Sequence, residues 1–222
     1  MTSLDRYRNA CKKIEKAARP EKGEAPVLVA VSKTFSVQDI EPLIKAGQRH
    51  FGENRVQEAE KKYPPLLEKY PDLQLHMVGP LQSNKVRQAL GLFSHIHSLD
   101  RLSLAEKLAS EMEKMSKAPR LFIQVNIGDE AQKSGVAIGE LAQFIEACRG
   151  QYGLHPEGLM CIPPQNAPPS PFFALLHKLS RHHKLPLLSM GMSNDFEAAI
   201  LQGATHIRLG RALFGERSTP PQ

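Results

Sequence analysis

The chain contains no tryptophan, only 6% aromatic residues and only three cysteines. Base-stacking nucleic-acid modules set aromatic platforms among their basic residues, and here the lysines and arginines are spread without such neighbours. RNA is therefore the weaker reading of the +6 net charge, and an anionic small ligand fits it better. Cys11, Cys148 and Cys161 stand far apart with no CxxC pair, which argues against a disulfide framework or a zinc site. A reducing cytoplasm is the expected compartment. No apolar run approaches the roughly 20 residues that span a bilayer, and no signal peptide is visible, so no membrane partner is expected. A GxGxxG segment is missing after the first apolar run, which weakens a dinucleotide-binding reading. Low-complexity segments are absent as well.

What is present is a regular alternation. Val27–Val31 is a continuous apolar run, the pattern of a strand buried on both faces of a parallel sheet. Before it, residues 3–18 carry apolar positions at Leu4, Tyr7, Ala10, Cys11, Ile14 and Ala18, an amphipathic helix, and the polar stretch Arg19–Pro26 turns into the strand. After it, Ser36 with Asp39 suits a capping box for a helix that ends at Gly47, with Pro42 inside. Further strands are expected at Arg49–Gly52, Leu73–Gly79, Phe93–Ser98, Leu121–Ile127, Gly158–Ile162, Leu185–Met190 and Thr205–Leu209. Between them, helices are expected from Val56, over Ser83–Leu90, from a cap at Asp100 to Ser116, and over Ile138–Arg149 with Gly150 as its stop. The next opens at Ser170-Pro171 with Phe172, Leu175, Leu176 and Leu179 on one face. Ser193 is expected to cap one that stops at Gly203, and a brief segment starts at Gly210. The proline-rich stretch Pro163–Pro171 reads as a loop between a strand and its helix. Strand–helix units in unbroken succession predict a single α/β domain over residues 1–217, a (β/α)8 TIM-type barrel with an extra N-terminal helix and a disordered tail at 218–222. A doubly wound open sheet is the alternative.

Parallel α/β folds place their chemistry at the C-terminal ends of the strands, and Lys33 stands at that end of the first one. Partial burial would lower its pKa and make the amine a nucleophile toward an aldehyde, against the plainer reading of a lysine that snorkels to water. Met190-Gly191-Met192-Ser193 and Arg208-Leu209-Gly210-Arg211 follow the last two strands, the usual phosphate site of a barrel. The plainer reading there is a helix cap at Ser193 and a turn at Gly210. Together, the lysine and the cradle would hold a phosphorylated aldehyde.

The segments VAVSKT, HFGENRVQE, HMVGPLQSNK, QVNIGDEAQKSG, GLMCIPP, LSMGMSNDFEAAI and GATHIRLGRALFGER, taken together, resemble the pyridoxal phosphate homeostasis protein family. The resemblance runs from about residue 4 to residue 217 in one register, and that family is a single barrel similar to the N-terminal domain of alanine racemase. It implies pyridoxal 5′-phosphate as cofactor, carried by Lys33 as a Schiff base. It also implies Arg208 facing the pyridine nitrogen, Asn54 beside the ring, and Met192, Ser193, Gly210 and Arg211 around the phosphate. His76 and Met77 either line the pocket or pack the barrel. Pro80 departs from the histidine common in the family, and Gly128-Asp129 lies in a variable loop. Lys85 and Lys133 fall within family motifs but default to solvated loop residues. His177, His182 and His183 miss the i,i+4 spacing of a helical chelate.

An arginine at the pyridine nitrogen cannot usefully donate a proton, which weakens the ring as an electron sink. Alanine racemase adds a tyrosine base from a second domain. Here Tyr7, Tyr63, Tyr70 and Tyr152 are the only tyrosines, none in a strand-end motif, and the sequence ends at Gln222 with no such domain. The resemblance thus implies a monomeric cytoplasmic carrier in vitamin B6 homeostasis, binding B6 vitamers and handing the cofactor to apoenzymes. A small racemase is the alternative.

Overall fold

The computed structural model describes residues 1–18 and 25–215. The tail at 218–222 and most of the Arg19–Pro26 turn lie outside the described residues. The described residues form nine parallel strands: β1 (Val27–Val31), β2 (His50–Glu53), β3 (Gln74–Met77), β4 (His95–Leu99), β5 (Arg120–Asn126), β6 (Val136–Ala137), β7 (Gly158–Met160), β8 (Leu187–Ser189) and β9 (His206–Leu209). β1 pairs with both β2 and β9, and β4 with β5, so the sheet closes on itself and the open-sheet alternative falls. Eight strands form the barrel. β6 hangs on β5 through Val125↔Val136, outside the expected set, because two residues give no periodic signal.

Alternation along each strand divides the core in two. Ala30, Phe51, Leu75, Ile96 and Ile123 face outward into one apolar layer with the helices, where Ile40, Leu43, Ala59, Leu104 and Leu176 meet them. Val29 and Phe122 face the lumen. A Cβ at Gly52 would touch Val29 at 3.0 Å, and the Phe122 ring lies 5.0 Å from that of His206 across the barrel.

The helices follow their caps with a few departures. In α1 (Ser3–Ala17), a Thr2–Asp5 capping box sets the start, Ala10 and Ile14 are buried, and Arg6 donates to the carbonyls of Leu213 and Phe214 at 3.0 and 2.9 Å. That joins the chain's first helix to its last strand–helix unit. The capping box of Ser36 and Asp39 opens α2 (Val37–Lys45) as expected. The helix expected from Val56 is split into α3 (Val56–Lys62) and α4 (Pro64–Lys69), since Pro64 and Pro65 suit a first turn and break an interior. A 3-10 turn at Ser83–Lys85 leads into α5 (Val86–Leu92). α6 (Leu102–Met115) is capped at Arg101, not Asp100, whose carboxylate is taken by the Arg101 guanidinium at 2.7 Å. After α7 (Leu141–Glu146), a wider turn of π type carries Ala147–Gln151 past Gly150, which therefore stops nothing. The chain turns at Gly153, with φ of 63°. α8 (Ser170–His183) buries Phe173, Leu176 and Ser180, so its inner face sits one residue round from the expected one, with Phe172, Leu175 and Leu179 flanking. α9 (Phe196–Leu201) is capped at Asp195, which accepts from the Met192 N–H at 2.5 Å, and α10 (Arg211–Phe214) begins after Gly210. No described helix is long and apolar enough to cross a membrane.

Candidate functional site at the barrel mouth

Lys33, Asn54, Ser193, Arg208 and the Gly210–Arg211 turn all come to the C-terminal mouth, on four strands that are neighbours in the ring: β2, β1, β9 and β8. Lys33 is half-buried in the turn after β1, and a Cβ at Gly210 would lie 3.4 Å from the Val31 carbonyl, so the first and last strand ends are in touch. Ser193 does not cap α9. Its hydroxyl instead accepts the Ala212 N–H of α10 at 3.1 Å, binding the loop after β8 to the loop after β9. Met192 lies exposed beside it. Asn54 packs under Gly79, where a Cβ would strike the Asn54 carbonyl at 2.5 Å, and both line a mouth cavity of about 310 Å³ with Pro80, Gln124, Asn126 and Lys133.

Arg208 is buried, and its two hydrogen bonds go to uncharged oxygens: Ser189 Oγ at 2.6 Å and the Cys161 carbonyl at 2.9 Å. No carboxylate among the described residues pairs with it, and burial presses its pKa down from the usual arginine value. What solvates the cation is a chain of neutral dipoles. Ser189 Oγ lies 2.7 Å from His97 Nδ1, His97 Nε2 lies 2.9 Å from His76 Nδ1, and His76 Nε2 lies 3.0 Å from His50 Nδ1. Arginine can only donate, so Ser189 accepts from Arg208 and keeps its own proton to offer to His97 Nδ1. In that arrangement His97 donates through Nε2 to His76, and His76 through Nε2 to half-buried His50. Each acceptor lone pair points back toward the guanidinium. His95 stacks on His76 with centroids 4.0 Å apart, His97 stacks on Phe122 at 4.2 Å, and His206 sits within 6.0 Å of His76, His95 and His97. Burial, helped by the neighbouring histidines and Arg208, holds His76 and His97 far below the ordinary imidazole pKa, His95 at about 4 and His206 at about 3. All are neutral at pH 7. Nitrogen-15 spectra of the protein near pH 7.5 should show His50, His76 and His97 as Nε2–H tautomers; an Nδ1–H signal from His76 or His97 would reverse the chain.

On the outer side of the same strand ends, Glu53 is fully buried and its Oε1 accepts from Ser32 Oγ at 2.8 Å and Lys62 Nζ at 2.6 Å. The Tyr63 hydroxyl lies 2.6 Å from Ser32 Oγ. Burial pushes the Glu53 carboxyl up, with the Lys62 ammonium opposing, and lifts the Tyr63 hydroxyl well above its usual value.

Of the other expected residues, His76 belongs to the lumen chain, while Met77 faces outward into the helix-side core. Lys133 reaches the mouth but is held by Glu130 at 2.6 Å and the Pro163 carbonyl at 3.3 Å. Lys85 sits in the 3-10 turn before α5, away from Lys33. His177 Nδ1 lies 2.8 Å from the Gln202 carbonyl, and the His182 and His183 rings meet edge to face at 4.8 Å. The lumen histidines were the signal overlooked in the sequence: His50, His76, His95, His97, His206 and Arg208 share the inward parity of their strands.

Residues 2–218 match the family described as alanine racemase, N-terminal domain. The pyridoxal phosphate homeostasis protein of Aquifex aeolicus (strain VF5) is 40% identical over 223 residues, spanning 96% of this chain and 95% of that protein. PipY of Synechococcus elongatus PCC7942, solved with PLP bound, superposes with a TM-score of 0.83 at 34% identity, over 96% of this chain and 100% of its own. Alanine racemase from Corynebacterium glutamicum shares the fold at 18% identity and a TM-score of 0.68, and 62% of it is covered.

Proposed function

This chain belongs to the pyridoxal phosphate homeostasis protein family, and on that premise we propose that it captures pyridoxal 5′-phosphate on Lys33, holds it and releases it to apoenzymes that need it. The observation that carries the reading is Arg208, a buried cation at the barrel mouth with neutral oxygen partners and no paired carboxylate among the described residues. Such a site accepts an electron-rich or anionic group, and the phosphorylated pyridine fits it. Bound pyridoxal phosphate supplies an aldehyde that condenses with an amine, losing water, and a phosphate that answers the site's positive charge. Lys33 supplies the amine. Ser193 and the N–H groups of the Gly210–Arg211 turn take the phosphate, the turn standing at a helix start whose first N–H groups have no partner within the helix. Arg208 donates toward the ring nitrogen without giving up a proton, since arginine stays charged. Asn54 flanks the ring.

Carriage rather than turnover is favoured by where the described acids and bases stand. Proton work at a substrate carbon needs a base within hydrogen-bond reach on the cofactor's side. The Tyr63 hydroxyl, beside the Lys33 turn, is committed to Ser32 on the helix side and held far from ionisation. The lumen histidines are engaged in solvating Arg208. The protein is expected to work as a cytoplasmic monomer. Borohydride reduction after mixing with pyridoxal phosphate, followed by peptide mapping, should place the pyridoxyl group on Lys33. Label found mainly on Lys133 or Lys85 would overturn the assignment.

Ser193→Ala should weaken binding of pyridoxal 5′-phosphate by about 1–3 kcal/mol, the usual loss of a hydrogen bond to a charged group. Pyridoxal without phosphate should bind the variant and the parent alike. Equal losses for both would mean that the hydroxyl serves only to join the loops at Ala212.

A further inference from the structure

The turn that presents Lys33 does not hold itself. Thr34, the next residue, has φ of 68°, a left-handed backbone that β-branched residues seldom adopt. One backbone bond, Phe35 N–H to the Ser32 carbonyl at 3.1 Å, closes the turn locally. Further restraints on its two shoulders come from α3, far away in sequence. Lys62 Nζ donates to the Ser32 carbonyl at 2.8 Å and to the Phe35 carbonyl at 3.2 Å, the residues on either side of Lys33-Thr34. Glu58 accepts the Thr34 N–H and also the Lys62 ammonium at 2.9 Å. Lys62 is in turn fixed by the buried Glu53 carboxylate at 2.6 Å, with only 11% of its side chain exposed.

We propose that Lys62 is a positioning residue for Lys33: anchored on Glu53, it straps both shoulders of the Lys33-Thr34 turn and thereby aims the Lys33 amine at the aldehyde. The inference rests on covalent capture by Lys33. Lys62 touches no part of the cofactor's binding surface as placed here; it acts through the backbone of the turn. Its ammonium has four oxygen acceptors, Glu53, Glu58, Ser32 and Phe35, more than its three protons can serve at once, so it is committed to holding this turn. Glu53 is fully buried, and its second oxygen has no partner among the described residues, a cost that a surface pair would not incur.

The test separates aim from binding. Capture of pyridoxal 5′-phosphate is followed by absorbance, and the affinity for pyridoxamine 5′-phosphate, which has the phosphate and ring but no aldehyde, is measured alongside. Lys62→Met should slow capture by roughly 10- to 100-fold, the scale of a small misplacement of a reacting group, with the affinity for pyridoxamine phosphate unchanged. Glu58→Ala, at a half-buried position that folding tolerates, removes the hold on Thr34 and should slow capture in the same sense, which covers the case of a Lys62→Met protein that fails to fold. Capture and pyridoxamine phosphate binding falling together would overturn the proposal, as would capture at the parental rate in the Glu58→Ala protein. A parent protein that binds pyridoxal phosphate but is never labelled by it would overturn the capture reading and this one with it.

Discussion

Lys33→Ala protein should bind the phosphorylated vitamers and never be labelled by them. Borohydride-stable incorporation of pyridoxal phosphate should disappear, and with it the absorbance change that accompanies capture, while the affinity for pyridoxamine 5′-phosphate stays that of the parent. The expectation follows from the separation of tasks around the mouth. The covalent group follows β1, whereas the phosphate groups lie on the loops after β8 and β9, tied to each other by the Ser193–Ala212 bond. The ring-side cation, Arg208, is anchored on Ser189 and Cys161. Two results would count against the assignment. Persistent labelling would move the capture to another amine, with Lys133 the first to check because it borders the mouth cavity. Loss of pyridoxamine phosphate binding together with capture would mean that Lys33 shapes the pocket instead of reacting in it.

The positions of these groups were legible in the sequence for a simple reason. A parallel barrel puts its working residues where apolar runs end, and the runs ending at Lys33, Gly52-Glu53-Asn54, Met190–Ser193 and Leu209–Arg211 can be read one strand at a time. What escaped depends on pairs of strands. His97 and Ser189 are far apart in sequence and meet only because β4 and β8 face each other across the lumen. Inward parity could have gathered the histidines, but the Arg208–Ser189 bond that begins their chain joins two different strands. Lys62 is one charge among several in its stretch of sequence, and only the docking of α3 against β1 and β2 turns it inward. Local competition explains the smaller misses. Asp100 and Ser193 are good capping residues, and each was claimed by another partner, Arg101 and Ala212.

Acid should unfold this protein sharply, at a pH where most small domains are still stable. His76, His95, His97 and His206 are at most 6% exposed, and all have folded-state pKa values depressed below the roughly 6.5 of an unfolded histidine, chiefly by burial. Between those two values the unfolded chain binds protons that the native barrel refuses. The stability is therefore complete above about pH 6.5 and is lost as the pH falls below it. For His95 and His206 the loss levels off only beneath the folded values, about 4 and about 3. At pH 5 each of these two imidazoles costs about 2 kcal/mol, about 4 kcal/mol together, and His76 and His97 add in the same direction, against a total stability on the order of 5–15 kcal/mol for a domain. Relief by protonation in place is blocked by the charges already facing the lumen, Arg208 within the chain and Arg120 near His95 and His206. Melting temperature should hold steady from pH 8 to 7, drop steeply from 6.5, and give way to cooperative unfolding at room temperature near pH 5. Calorimetry in buffers of different ionisation enthalpy should then find net proton uptake on unfolding, and His206→Asn should lower it by about one proton. A protein whose melting temperature is flat down to pH 5, with no proton uptake, would show that the lumen histidines are not the neutral chain that solvates Arg208.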